Sequence, residues 1–353
     1  MGWGILTNYA SRSESFLVKE TYKYLVDAGR TKRGERVILK YRRLFRHLDC
    51  FVISHGDEDH IGLANFVIDN LEPKIIIISP LVYVLEKFRF NFTPSRCRIS
   101  SLFGGEYTIV EVPDLNDFDN LDNFIVYAIR RRTRFNPLPW QLNFRNGLME
   151  FQSFPTSSVI MNFRLINDFI ERVKCYPKGS RQWLDSINEH QLISDLRMGK
   201  VLNKEKYKIN KLDYLTMWKE IENAIIKNNI KNEMSLICRI GATFFTGDAA
   251  KNQLIELKRE LVNQSNLLNN DISIKVNHHA SYQSKYKYID FYERMNPKQL
   301  ILKRDFQIQG KPIKPKFIKY LMQLNGTIQT GGVFYDSNDL DLTSAPLGVF
   351  WTF

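Results

Sequence analysis

The chain has 353 residues, of which 44% are hydrophobic and 25% charged, as expected of a globular protein with a sizeable core. No apolar stretch is long enough to cross a bilayer, and residues 1–20 lack the pattern of a signal peptide, so we expect a cytoplasmic protein with no membrane partner. The four cysteines include no CxxC pair, which argues against a disulfide framework and against a cysteine-ligated zinc site. The net charge of +12 favours a polyanionic partner such as nucleic acid, although a lysine-rich composition alone can raise the charge.

The N-terminal part alternates short apolar runs with segments of helical period. Residues 15–18 and 23–26 predict two paired strands, and the DAG segment at 27–29 ends the second with turn residues. Apolar residues at helical spacing predict helices over 33–48 and 62–71. Further strands are predicted at 50–53, 75–79, 107–112 and 124–129.

The pattern changes near residue 130. An arginine run and a proline-containing irregular stretch come first, and helical periods reappear at 165–173 and 212–226. We therefore predict an insertion or accessory subdomain over residues 131–230, which is a candidate docking site for a protein partner. Strand signals resume at 235–240, 243–245, 272–276 and 300–302, with helices over 251–262 and 316–324. Strands alternating with helices predict an α/β fold of two sheets covered by helices.

Four of the six histidines lie in two short segments. The first segment is HGDEDH at residues 55–60, directly after a predicted buried strand, with His55, Asp57, Asp59 and His60 as potential ligands. Imidazole nitrogen and carboxylate oxygen together suit zinc, manganese or iron. A polar turn in which Asp59 caps the next helix would explain one aspartate, but not two histidines and two aspartates together.

Two later strand ends carry the same residue types. Asp248 follows an apolar strand in the segment TGD, and His278 and His279 follow another in the segment HHAS. Each signal is weak by itself, because a single aspartate is usually a turn residue and paired histidines are often solvated. Three strand ends that present histidine and aspartate predict convergence on one metal site.

The ordered set LVDAG at 25–29, HGDEDH at 55–60, TGD at 246–248 and HHAS at 278–281 resembles the metallo-β-lactamase superfamily. Within it, the motifs are most similar to the ComEC-type competence-protein hydrolase branch, over roughly residues 15–130 and 232–335. The resemblance implies a four-layer αββα metallo-β-lactamase sandwich with a mostly helical insertion. Residues 1–130 would form its N-terminal half and residues 231–353 its C-terminal half.

The resemblance also implies two divalent metal ions, zinc or manganese. His55 and Asp57 would hold one ion, with Asp248 bridging to the other. Asp59, His60 and His278 would hold that second ion. His279 would be either the alternative to His278 or a proton donor to the leaving group.

Four further residues take supporting roles in the resemblance: Asp27 would orient the metal-binding segment, Ser281 and Ser284 would line the substrate pocket, and Ser235 belongs to the strand segment before TGD. The third histidine that many members place on the first ion has no counterpart, since no histidine lies between His190 and Asp248. The segment 232–235 resembles the Asn/Ser segment that ComEC-type proteins have near that place. The branch's glycines in its first and last motifs are Leu63 and Ala280 here, and its later His-Pro is Lys-Pro at 311–312.

This chemistry predicts a hydrolase in which water held between two cations becomes the nucleophile, oriented by Asp59 or another carboxylate. Charge favours phosphodiesters, so a nuclease is the leading hypothesis. Candidate nucleic-acid contacts, which are equally well explained as solvated faces, are Arg130, Arg131, Arg132, Lys285, Lys303 and Lys311. The alternatives are a hydrolase of a small ester, lactone or nucleotide, and a partner-binding regulatory protein that keeps the metal site, for example in a defence system.

Overall fold

The computed structural model describes residues 3–6, 15–19, 22–78, 82–83, 85–86, 89–90, 94–104, 107–111, 127–131, 149–152, 232, 235–250, 253–255, 257–258, 272–276, 291–292, 295, 297, 299–302, 333–336 and 349–352. The strands in these ranges are β1 (Trp3–Leu6), β2 (Phe16–Lys19), β3 (Lys23–Val26), β4 (Cys50–Ile53), β5 (Ile75–Ile78), β6 (Tyr107–Glu111), β7 (Tyr127–Arg131), β8 (Met149–Gln152), β9 (Ile237–Ile240), β10 (Thr243–Phe245), β11 (Ser273–Lys275), β12 (Gln299–Leu302), β13 (Val333–Asp336) and β14 (Val349–Thr352). The helices described from end to end are α1 (Lys32–Phe45), α2 (Glu58–Ile61), α3 (Ala64–Leu71) and α4 (Ser100–Phe103), with a 3-10 turn at Pro94–Arg96. Residues 253–255 and 257–258 are also helical.

The first sheet has eight strands in the order β14-β1-β2-β3-β4-β5-β7-β6. Its centre is parallel, because β4 pairs in parallel with both β3 and β5. The sequences CFVI and IIII of β4 and β5 are continuous apolar runs, and both strands are buried along their whole length. This is the pattern of a parallel strand that is covered on both faces.

Helices cover one face of the first sheet. Thr31 caps α1 by accepting a hydrogen bond from the backbone N–H of Gly34 at 3.1 Å, which satisfies one of the first donors of that helix. The core on this side joins alternate strand residues to α1 and α3, for example Phe51 to Val37 and Val67. The remaining strand residues, among them Phe16 and Val52, are buried on the opposite face.

The second sheet has six strands in the order β13-β12-β11-β10-β9-β8, and β10 to β13 run parallel. It contacts the face of the first sheet opposite to α1 and α3. The rings of Phe16 and Phe245 lie 5.3 Å apart, and the backbone N–H of Leu236 donates to the carbonyl of Ser54 at 2.8 Å. The chain is therefore a mixed α/β protein with two sheets in contact.

Most predicted strands and helices of the described ranges are confirmed, with ends shifted by a few residues. The prediction missed β1, β8, β13 and β14, and it began β7 three residues too early. β8 lies inside the range predicted as an insertion and pairs antiparallel with β9. The helices predicted at 165–173, 212–226 and 316–324 fall outside the described residues.

Two of the composition-based expectations can be compared with the described part of the chain. None of its helices is long and apolar enough to cross a membrane. Cys50, Cys97 and Cys238 are free, buried thiols, and burial raises the pKa of each, that of Cys97 to about 12. Such thiols are poor nucleophiles.

Candidate metal centre

The metal loop, residues 54–60, begins where β4 ends and passes into α2. Asp57 occupies the N-cap position of α2, and its carbonyl accepts the backbone N–H of His60 at 2.9 Å. The carbonyl of His60 in turn accepts the N–H groups of Ala28 at 2.7 Å and Gly29 at 3.1 Å. Since β3 and β4 are parallel, these bonds join two carboxyl ends of strands at one edge of the sheet, where α/β proteins commonly place their sites.

Asp27 fixes the metal loop through the hydrogen bonds of its carboxylate. It is buried, with 1% of its surface exposed, and it has a left-handed backbone with φ of +56°. Its carboxylate accepts three hydrogen bonds, from the N–H of Ser54 at 2.7 Å, the Oγ of Ser54 at 2.7 Å and the Nδ1 of His60 at 2.8 Å. Because a carboxylate only accepts, the proton of His60 is fixed on Nδ1, and Nε2 is the nitrogen available to a metal ion.

Ser54 extends this arrangement to the second histidine. Its single hydroxyl proton goes to Asp27, so its oxygen acts as acceptor for the Nδ1 of His55 at 3.0 Å. The lone pair of His55 is thereby placed on Nε2. That atom is fully buried, and no described residue forms a hydrogen bond with it. One carboxylate thus sets the tautomer of both histidines, directly for His60 and through Ser54 for His55.

The Asp248 loop, residues 246–248, approaches from the second sheet at the end of β10. Gly247 has a φ of +50°, and a Cβ there would lie 2.5 Å from the Oγ of Ser235 and 3.0 Å from the Cβ of Ser54. Only glycine combines this backbone with this close approach. The Oγ of Ser235 also accepts a hydrogen bond from the backbone N–H of Asp248 at 3.1 Å. Ser235 therefore lies close to Gly247 and also positions Asp248.

A buried lysine supports the Asp248 loop from β11. Lys275 is completely buried, and its Nζ donates to the carbonyl of Gly247 at 3.0 Å. The hydroxyl of Thr246 donates to the carbonyl of Lys275 at 2.8 Å, so the two segments are bonded in both directions. Gln253 completes the support, because its Nε2 donates to the carbonyl of Ser235 at 2.9 Å.

The two loops bring His55, His60 and Asp248 together, with one potential ligand atom from each lying within 4.8 Å of the others. The Oδ2 of Asp248 is 3.7 Å from the Nε2 of His55, and its Oδ1 is 3.4 Å from the Nε2 of His60. Ligands about 2.0–2.1 Å from a zinc ion lie about 3.3 Å apart at tetrahedral angles, close to these spacings. The donor set and the buried, unpartnered Nε2 of His55 therefore fit a divalent metal ion.

The two histidines differ in their electrostatics although their ring centroids are only 3.9 Å apart. Burial, and then the neighbouring His60, lower the pKa of His55 despite the carboxylate of Asp248 nearby. Burial also disfavours charge on His60, but Asp27 and Asp248 outweigh it and raise the pKa of His60 well above its ordinary value. A site with two aspartates against two adjacent imidazoles is suited to hold positive charge.

Asp57 and Asp59 are placed differently from the buried group of His55, His60 and Asp248. The Oδ2 of Asp57 is 3.8 Å from the Nε2 of His55, and its side chain is 37% exposed, so it lies beside the group on the solvent side. Asp59 is partly buried within α2, and the three-residue group does not include it. His278, His279, Ser281 and Ser284 lie outside the described residues, so their predicted roles stay predictions.

Sequence reasoning missed three supporting residues of the centre, Ser54, Gly247 and Lys275. Ser54 could have been noticed because it stands between the strand and the first histidine. Gly247 precedes the candidate aspartate, as glycines at tight approaches often do. Lys275 carried no signal, since a lysine at the end of a strand is usually solvated.

The predicted nucleic-acid contacts are only partly described. The guanidinium of Arg131 pairs with Glu72 at 3.0 Å and is 24% exposed. Arg130 pairs through its backbone with Ile75 on one side and Thr108 on the other. Arg132, Lys285, Lys303 and Lys311 lie outside the described residues.

In comparisons with known proteins, no protein-family profile and no curated protein matches the chain.

Proposed function

We propose that this chain is a metal-dependent hydrolase of the metallo-β-lactamase type that cleaves phosphodiester bonds in nucleic acid. The observation that carries the proposal is the buried group of His55, His60 and Asp248, in which the Nε2 of His55 has no hydrogen-bond partner among the described residues. Leaving such an atom buried costs about 1–3 kcal/mol, so a site that retains it has a use for the lone pair.

The proposed ligand set extends this group to two ions, zinc or manganese. His55 and Asp57 hold the first ion, Asp59, His60 and His278 hold the second, and Asp248 lies between them. Both carboxylate oxygens of Asp248 face histidines, one each, which supports the bridging role. His278 follows the last residue of β11 by three positions, and β11 is the parallel neighbour of the strand that carries Asp248.

When bound, the ions supply a nucleophile from water at neutral pH and stabilise the negative charge that develops on the cleaved bond. The chain's own residues do the positioning. Asp27 and Ser54 keep the Nε2 atoms of both histidines directed into the centre. Asp59 orients the attacking water, and His279 donates a proton to the leaving group.

The fold proposed for this activity is the four-layer αββα sandwich. Two observations support it: helices cover one face of the first sheet, and the second sheet contacts the other face at Phe16 and Phe245. The fourth layer is the helical segment after the Asp248 loop, where Leu254 and Leu257 are buried. Both sets of parallel strands then direct their carboxyl ends to the metal centre.

The test measures metal content and cleavage together. Purified chain is loaded with zinc, manganese or magnesium and given labelled single- and double-stranded DNA and RNA, a small phosphodiester, and a lactone. We expect at least one bound ion per chain and metal-dependent cleavage of nucleic acid. The variants His55→Ala and Asp248→Asn lose the metal and the activity together. His47→Ala, an exposed histidine that pairs with Glu72 at 3.2 Å, is the matched control and keeps both.

Other outcomes separate the alternatives. Cleavage of the lactone or small phosphodiester without any cleavage of nucleic acid would replace the nuclease with a small-molecule hydrolase. Metal binding without turnover of any substrate would favour a regulatory protein that retains the site. Unchanged metal content in both His55→Ala and Asp248→Asn would overturn the metal centre itself.

A further inference from the structure

The outward side of α1 is a cationic surface with no role in the metal centre. Residues 30–47 contain eight lysines and arginines and a single acidic residue, Glu35. The apolar side of α1, which includes Val37, Ile38 and Phe45, is buried in the core. The opposite side carries the α1 basic face, whose four exposed cations are Lys32, Arg36, Lys40 and Arg43.

The four cations form one stripe. Their spacings of four, four and three residues keep them within about 80° of one another around a helix that turns 100° per residue, and the stripe is about 16 Å long. Within the described part of the chain, none of the four forms an ion pair, although Lys40 lies 5.2 Å from the ring centre of Tyr41. Glu35 is half-buried at the edge of the stripe, so among the described residues the α1 basic face carries a net positive charge.

The stripe starts beside the metal loop. Arg30, two residues before Lys32, lies with its Nη1 3.9 Å from the Oε2 of Glu58, and the Nη2 of Arg98 lies 3.4 Å from the Oε1 of the same glutamate. Glu58 stands between Asp57 and Asp59 in the sequence and is 58% exposed. One carboxylate between two guanidinium groups occupies a position that suits a phosphate equally well.

We propose that Arg30, Arg98 and the α1 basic face form a track that binds the phosphate backbone of a single nucleic-acid strand and leads it to the metal centre. The link to cleavage rests on the proposed function, whereas the binding does not. With four cations along about 16 Å, the α1 basic face can contact several successive phosphates of one strand. Six cations along one path give the charge complementarity that such a strand requires.

A membrane surface is the competing partner for a basic helix, and the exposed surface of α1 argues against it. The exposed large apolar residues of the described ranges are Leu39 and Leu44, at 47% and 45%. Helices that lie in a membrane interface need a broad apolar side, and that of α1 is already buried against the sheet. Two leucines beside four cations suit a strand that is held mainly through its phosphates.

The experiment measures binding of fluorescein-labelled, phosphorothioate-linked 20-nucleotide DNA and RNA strands to the metal-loaded chain, by anisotropy at several salt concentrations. The test variant Arg36→Gln/Arg43→Gln removes two cations of the stripe. Arg46→Gln/Lys74→Gln is the matched control with the same charge change, because Arg46 and Lys74 are already paired, with Glu72 and Asp49 respectively. Glutamine is a good helix former, so α1 should persist, and thermal melting with metal content verifies it.

We expect the test pair to lower the slope of log affinity against log salt by about 1.4, at about 0.7 per phosphate contact, which is a loss of about 25-fold at 0.1 M salt. The control pair should change the affinity less than threefold. Equal losses in the two pairs, or a loss of binding to phosphatidylserine vesicles with unchanged strand binding, would overturn the track. Strand binding that the test pair weakens, in a chain that cleaves no substrate, would support the track while the proposed function fails.

Discussion

The metal loop is fixed by side chains, whereas the Asp248 loop is fixed by its backbone. In the metal loop, one buried carboxylate on the neighbouring strand bonds Ser54 and His60, and through them aligns His55. In the Asp248 loop, Gly247 has a positive φ, and its backbone lies close to Ser54 and Ser235. The Nζ of Lys275 donates a hydrogen bond to the carbonyl of Gly247. A change to the residues that support the first loop should therefore disturb metal chemistry, and a change to those that hold the backbone of the second should disturb folding.

Gly247→Ala should have the largest effect on stability. The left-handed backbone costs an alanine about 1–2 kcal/mol, and forcing a Cβ to within 2.5 Å of the Oγ of Ser235 adds about 1–3 kcal/mol. Ser235 has little freedom to move, because its Oγ accepts the N–H of Asp248. We expect the free energy of unfolding, measured by urea denaturation, to fall by about 2–5 kcal/mol.

Gly56→Ala is the matched control in the metal loop. A Cβ at Gly56 would meet the Cγ2 of Val82 at 3.5 Å, which is an ordinary contact, and the backbone φ there is not positive. Its unfolding free energy should change by less than about 0.5 kcal/mol. If the two glycine variants lose similar stability, the contrast between the loops is wrong.

Asp27→Asn should affect metal binding more than folding. The Oγ of Ser54 and the Nδ1 of His60 both bond the Oδ2 of Asp27, and the backbone N–H of Ser54 bonds its Oδ1, so an amide, one of whose arms donates, cannot accept all three. In either orientation of the amide, the carboxylate charge that favours a proton on the Nδ1 of His60 is lost. We expect affinity for zinc or manganese, measured by competition with a chelator, to fall by about 10–100-fold.

Asp49→Asn separates this effect from general damage to the sheet. Asp49 is also a buried carboxylate, and it accepts the N–H of Lys23 at 2.9 Å and the Nζ of Lys74 at 2.7 Å at the opposite end of β4. Its variant should lose stability but keep its metal affinity. A similar drop in metal affinity for Asp27→Asn and Asp49→Asn would mean that Asp27 acts only as a structural residue.

The contrast between the loops also explains which parts of the site the sequence predicts. Apolar runs such as those of β4 and β5 predict buried strands by themselves. The histidines and Asp248 closely follow such runs, so the sequence alone identifies them as polar residues at strand ends. The three buried residues that could hold a metal ion were all among the predicted residues. Asp27 was predicted as a residue that orients the metal loop, and its carboxylate accepts three hydrogen bonds from Ser54 and His60.

The remaining features depend on contacts between distant segments. The roles of Ser54 and Lys275 follow from partners 27 and 28 positions away, and no local pattern encodes such pairing. β1 and β14 pair although they lie at opposite ends of the described chain, and a short strand with a distant partner has little signature of its own. β8 was missed for the same reason, because its partner β9 comes after more than eighty intervening residues.

Glu72→Gln should have the smallest effect, and it gives a baseline for side-chain networks outside both loops. Glu72 ends α3 and bonds Arg46 and Arg131, at 3.0 Å each, joining α1, α3 and β7. Partial burial acts to raise the pKa of Glu72, but the hydrogen bonds from Arg131 and Arg46 outweigh it, so the pKa lies below its ordinary value. We expect Glu72→Gln to lower the free energy of unfolding by about 0.5–1 kcal/mol at neutral pH, with no change in metal affinity.

The sign of its pH dependence follows from the lowered pKa. The stabilisation is fully present above the pKa of the unfolded state, near 4.5, and is lost as the pH falls through the lower pKa of the folded state. The difference in unfolding free energy between wild type and Glu72→Gln should therefore shrink between about pH 5 and pH 3. Asp69→Asn is the control in the same helix, since Asp69 is exposed and pairs with no described residue. A difference for Glu72→Gln that stays constant over this range, or that matches Asp69→Asn, would show that the ion pairs of Glu72 contribute nothing and that packing alone joins the three elements.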